Sequence, residues 1–208
     1  MPMKARLPLL AALLFLMACG SSNTSVTSSW KNKQLLNNKE VSSIFIAAGS
    51  PNVDYKSMLE DELAYLVKER GVKPVKSYEV FQGISKDNMP TREAVLDKIR
   101  STKAETILTI TLQTVETREN EGVSLTVPQN VSFYGYYSNA FPIVYDPVVH
   151  SPDRIYYMES LLFDAATEEL LWSAKSETYN PANEENFIKG YTQSVIKRLE
   201  KDGIVKKI

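Results

Sequence analysis

The chain is 208 residues long, with 24 Lys and Arg against 25 Asp and Glu, one His, one Cys and a formal charge of −1. That balance, with signs mixed and no long runs, excludes the basic footprint of a nucleic-acid-binding protein. The single cysteine and single histidine exclude a disulfide framework and a Cys/His zinc cluster. From the N-terminus, Lys4 and Arg6 stand ahead of a twelve-residue apolar run, Leu7 to Ala18, which Cys19 closes. A positive start, a short apolar stretch and small residues before the cut make a secretion signal. Twelve residues fall short of the roughly 20 that a membrane-crossing helix needs.

Leu16-Met17-Ala18-Cys19 resembles the lipobox of bacterial lipoproteins. The resemblance implies cleavage of residues 1–18 just before Cys19, a diacylglyceryl group on the Cys19 sulfur and a further fatty chain, such as palmitate, on its amine. Each buried methylene contributes about 0.8 kcal/mol, so two or three chains hold a protein stably on a membrane where one does not. Position 20 is Gly, not the Asp that resembles an inner-membrane retention signal, so the implied address is the periplasmic face of the outer membrane. Residues 19–40 read as lipidated Cys, solvated tether (Gly20 to Ser25) and a lead-in from Trp30 to Leu36. Cleavage leaves 190 residues with 22 basic and 25 acidic side chains and no spare thiol. Stability must then come from packing.

Residues 41–208 read as one α/β domain of the α+β kind. Val41 to Ala48 is a nearly continuous apolar run stopped by Gly49-Ser50-Pro51, which predicts a strand buried on both faces and central in its sheet. Asp54 is placed to cap a helix in which Tyr55, Met58, Leu59, Leu63, Leu66 and Val67 recur at helical spacing, and Gly71 to stop it. Val72 to Ser77 holds Pro74, which predicts an edge strand or a very short pairing. Thr91 caps a second helix with Val95, Leu96 and Ile99 on one face. Thr106 to Val115 alternates Leu108, Ile110 and Leu112 with Thr109, Thr111 and Gln113, which predicts a strand with one solvated face. Arg154 to Phe163 and Leu170 to Ser176 predict an antiparallel hairpin around Asp164 to Glu169. Asn180-Pro181 opens a closing helix with Phe187, Ile188, Tyr191, Val195, Ile196 and Leu199 as its buried stripe. The order is βαβαβ, an insert over 120–152, then ββα. It predicts a two-layer sandwich in which helices pack mainly on one face of a mixed sheet.

Catalytic parts are missing from the pattern. His150 stands alone among turn residues, the glycines are too dispersed for a phosphate-binding loop, and no metal-ligand spacing occurs, so neither a cofactor nor a metal is expected. Glu60-Asp61-Glu62 reads as a solvated helix face, since the three side chains point about 100° apart. Glu159 interrupts an apolar strand and reads as a structural pair with a neighbouring Lys or Arg, or as exposed on an open sheet face. The insert carries Phe133, Tyr134, Tyr136, Tyr137, Phe141 and Tyr145 within thirteen residues. These rings either anchor a partner or fold down to complete the core.

The path from Val41 through the first helix to Val72, together with Glu159 to Ser173, resembles uncharacterised bacterial lipoproteins, in which a strand, an Asp-x-x-Thr-x-x turn and a second strand ending in Trp-Ser recur. In element order the chain is similar to the curli-secretion lipoprotein, the LpoB-type activators of penicillin-binding proteins and the amino-terminal domain of TolB. The resemblance implies a fold and no binding residue. The function expected is a lipid-anchored, non-catalytic binding or assembly module. Its partners would be the membrane, through Cys19, and an envelope protein of unknown identity, in an oligomeric state the sequence leaves open. A subunit of an outer-membrane secretion or transport assembly is one alternative, although Pro128, Pro142 and Pro147 interrupt the membrane strands it would need. An envelope hydrolase is the other, and no nucleophile with a nearby base can be named for it.

Overall fold

The computed structural model describes residues 23–37, 41–50, 52–83, 90–117, 132–135 and 154–208. Ten elements follow in chain order: β1 (Thr24–Lys31), β2 (Ser43–Gly49), α1 (Val53–Glu69), β3 (Lys73–Lys76), α2 (Ser77–Val80), α3 (Arg92–Ser101), β4 (Thr106–Thr117), β5 (Arg154–Asp164), β6 (Leu170–Tyr179) and α4 (Glu184–Lys201). The strands form one open mixed sheet in the order β1-β6-β5-β4-β2-β3. β2 lies parallel to β3 and β4, and β4, β5, β6 and β1 are antiparallel neighbours. The fold is α+β, as the element order predicts.

β2 is buried along nearly its whole length because helices cover both of its faces. It sits second from the edge, not at the centre, with short β3 outside it. Pro74, which cannot donate to a ladder, is tolerated on that edge. On one face α1 and α4 bury Leu59, Leu63, Phe187, Tyr191 and Val195 against Ile46, Leu108, Leu162 and Trp172. Each such side chain, fully removed from water, contributes about 1.5–3 kcal/mol. Phe187 sits between Tyr55, with centroids 6.2 Å apart, and Tyr191, at 6.3 Å, with Tyr156 at 5.1 Å.

The opposite face is not bare. Val95, Leu96 and Ile99 of α3 pack with Phe45, Ile107 and Phe163, and Thr109 and Thr111, which alternation assigns to a solvated face, are buried. Thr109 Oγ1 donates to the Leu161 carbonyl at 3.4 Å. A threonine that finds a backbone acceptor can be buried, so its presence does not mark an exposed face.

Three boundaries differ from the sequence expectations. Part of the expected tether and lead-in is a strand: β1 pairs along β6, so the sheet begins at Thr24 and not at residue 41. The α1 cap is Asn52, whose Oδ1 accepts from the amides of Asp54 at 3.0 Å and Tyr55 at 3.1 Å, and Asp54 lies in the first turn. The α4 cap is Asn183, accepting from the Asn186 amide at 2.8 Å, three residues beyond Asn180. Thr91 caps α3 as expected, and Gly71 ends the α1 turn at φ +79, where a side chain would be strained.

Candidate functional site

The direction of each strand decides what lies beside the N-terminus. β1 starts at Thr24, opposite Thr178 near the end of β6, and β5 starts and β4 ends at the same end of the sheet, Arg154 opposite Thr117. β2 also finishes there, so α1 begins there, and α4 begins there after β6. The described residues that follow the expected anchor, from Thr24, and those that flank the insert, Thr117 and Arg154, thus share one end of the sheet. The opposite end holds the β5–β6 turn and the C-terminus of α4.

β1 is fastened at both ends. At its start the Tyr179 amide donates to the Asn23 carbonyl at 3.0 Å, the Thr24 and Thr178 hydroxyls lie 2.8 Å apart, and Ser194 Oγ donates to the Thr24 carbonyl at 3.2 Å. At its finish Lys31 Nζ donates to the Asp202 carbonyl at 2.6 Å, and Ser29 Oγ donates to Asp202 Oδ2 at 2.9 Å. Trp172 Nε1, at 2.8 Å, and Arg198 Nε, at 2.9 Å, converge on the same oxygen. Partial burial works against the ionised Asp202 carboxyl, but the hydrogen bonds from Trp172, Ser29 and Arg198 outweigh it and hold its pKa below the usual 3.8.

Asn23, Thr24, Asn180, Asn186, Lys189 and Gln193 border a cleft of about 350 Å3 at the anchor end. Asn186, Lys189 and Gln193 lie exposed along one side of α4. Asn180 adopts φ +38, a conformation its short amide tolerates, and its Oδ1 accepts from the Arg154 amide at 2.6 Å.

The described part of the insert, residues 132–135, is seated at the far end. Phe133 is fully buried and meets Phe163 edge to face, with centroids 6.0 Å apart. The Tyr134 hydroxyl donates to the Pro90 carbonyl at 3.1 Å, and its amide donates to Glu168 Oε2 at 3.4 Å. The other Glu168 oxygen pairs with Arg92. Phe133 therefore completes the core and drops out of the expected contact surface, and Tyr134 is half-buried in the seat. Tyr136, Tyr137, Phe141, Tyr145 and His150 lie outside the described residues, as do Leu16, Ala18 and Cys19.

Two further carboxylates are buried, and only the first departs from expectation. Glu60 is not on a solvated face: it is 0% exposed. Its Oε1 accepts from the Ala48 amide at 2.9 Å and Ser77 Oγ at 2.6 Å, and its Oε2 accepts from the Tyr78 amide at 3.0 Å. Lys56 Nζ, also buried, stands 4.0 Å away. Burial pushes the Glu60 carboxyl up and the Lys56 ammonium down, each partly offset by the other's charge. Glu159 is buried, opposite Lys175 and Thr111 in the ladder, and accepts from Gln113 Nε2 at 3.3 Å.

Among the described residues no group of three or more His, Cys, Asp or Glu side chains gathers to hold a metal ion, and no helix is long and apolar enough to cross a membrane. No protein-family model and no curated protein sequence matches the chain. Among solved structures it is similar to a PelC dodecamer from Paraburkholderia phytofirmans, at 12% identity over 85% of this chain and 94% of that one, with a TM-score of 0.40. It is also similar to the lipoprotein GNA1162 from Neisseria meningitidis, at 15% identity over 77% of this chain and 99% of that one, with a TM-score of 0.39. Likeness at this level carries no argument about what this chain does.

Proposed function

We propose that this protein is a lipid-anchored module of the bacterial cell envelope, held at Cys19 to the periplasmic face of the outer membrane, which binds a partner protein without catalysing a reaction. One observation carries the reading. The sheet begins five residues after Cys19, and the strand that begins it is bonded to β6 and α4 at both ends, so a pull on the anchor loads the whole sheet. The buried carboxylates support the non-catalytic half: both oxygens of Glu60 and both of Glu168 meet structural donors, and Glu159 accepts from Gln113.

Partner contact is assigned to the insert aromatics Tyr136, Tyr137, Phe141 and Tyr145, which follow Phe133, itself packed in the core against Phe163. A photoreactive residue placed at position 136, 137, 141 or 145 in the full chain is expected to crosslink an envelope protein in intact cells, while the same residue at exposed Thr167 gives no adduct. If none of the four positions yields an adduct, the insert is not the contact surface.

A further inference from the structure

We propose that the cleft between β1, the β6–α4 connection and α4 is a phospholipid headgroup site, so that the body docks on the bilayer instead of swinging free of it. This rests on Cys19 being acylated. Asn23, the first described residue, lies four residues past Cys19, and four residues of fully extended chain reach at most about 14 Å. The headgroup layer of each leaflet is itself about 5–7 Å deep. A cleft bordered by Asn23 and Thr24 is therefore within reach of the headgroups for as long as the acyl chains are inserted.

Its chemistry suits a zwitterionic phospholipid. Amides of Asn186 and Gln193 and the Lys189 ammonium can donate to phosphodiester oxygens. Lys189 pairs with Glu185 at 2.6 Å, and Glu184 and Asp54 lie in the first turns of the two helices that start at this end. Those carboxylates would repel a purely anionic surface and match the ammonium of a headgroup that carries both signs. Val53, 68% exposed, and Tyr179, 47% exposed, add apolar and amphipathic surface at the same end.

The test uses the full lipidated protein in phosphatidylethanolamine–phosphatidylcholine vesicles that carry a headgroup-linked quencher. A fluorophore is attached to a single introduced thiol in A182C, K197C or K201C, none of which is a proposed donor. Between positions 182 and 201 lies α4, about 27 Å long, several times the depth of the quenching layer. Strong quenching at 182, little at 197 and 201, and loss of most of the quenching at 182 when K189E is added all support the proposal. Equal, weak quenching at all three positions on protein that still sediments with the vesicles overturns the proposal and leaves the anchor standing. Protein that stays in the supernatant overturns the anchored reading itself. Inorganic phosphate alone changing the emission as much as the vesicles do would assign the cleft to a soluble anion, and so also overturn the proposal.

Discussion

Glu60→Ala is expected to destabilise the fold by about 3–5 kcal/mol, the range for removing one partner of a buried charge pair. The side chain joins three elements that are separate in sequence: its own helix α1, the end of β2 through the Ala48 amide, and the first turn of α2 through Ser77 and the Tyr78 amide. Truncation leaves two amides, a hydroxyl and the buried Lys56 ammonium without this acceptor, and each unsatisfied group costs about 1–3 kcal/mol. Against a total stability of about 5–15 kcal/mol, typical of a domain, that is a large share. Glu60→Gln keeps one oxygen for Ala48 and Ser77 but sets an N–H donor against the Tyr78 amide, so it should fall between wild type and Ala. Urea denaturation of the three proteins checks the order. An Ala variant within about 0.5 kcal/mol of wild type, the scale of an ordinary surface change, would show that the network contributes nothing net.

Acid should weaken wild type more than Asp202→Asn. The Asp202 pKa is lowered in the folded state, because hydrogen bonds from Trp172, Ser29 and Arg198 outweigh the opposing effect of partial burial. A group of this kind contributes stability that is fully present above its unfolded pKa, near 3.8, and lost as pH falls through the folded value. The Asn variant keeps an oxygen for the Trp172 donor but has no charge to titrate. Its stability should be lower than wild type at neutral pH by about 1.5–3 kcal/mol, the worth of hydrogen bonds to a charged group, and the gap should close on acidification. Because Ser29, near the finish of β1, donates to the Asp202 carboxylate, the same variant should speed amide exchange there more than in β4. A constant gap between the two proteins down to about pH 3, below the ordinary carboxylate range, would contradict this account.

Elements announced by periodicity are legible in the amino-acid order alone. The apolar run at Val41, the α1 and α4 stripes and the hairpin all follow from spacing and side-chain type, because burial of one face imposes a repeat. β1 is not legible in this way. Its Thr24-Ser-Val-Thr-Ser-Ser-Trp-Lys sequence is polar because it lies at a sheet edge with part of its surface in water, and a polar edge strand has the composition of a tether. Glu60 escapes the pattern for a related reason. Helical spacing says that three consecutive acids point three ways, but not that one of them points at the end of a strand. Asp202 does carry a signal, since a carboxylate at a helix C-terminus opposes the macrodipole and asks for a compensating partner. Here the partners are Trp172, Arg198 and Ser29, from two other elements and the helix itself. For the insert, composition points to contact and to core with equal force. Phe133 resolves to core because Phe163 and α3 leave a place for a ring on a face that strand alternation marks as open.

The most direct test of the central claim is the intact mass of the protein extracted from the membranes of its own cells. The account predicts a chain that begins at Cys19, heavier than residues 19–208 by two or three acyl chains, with the added mass located on Cys19 after proteolysis. A chain that begins elsewhere, or a residue 19 that bears a free thiol, would contradict it.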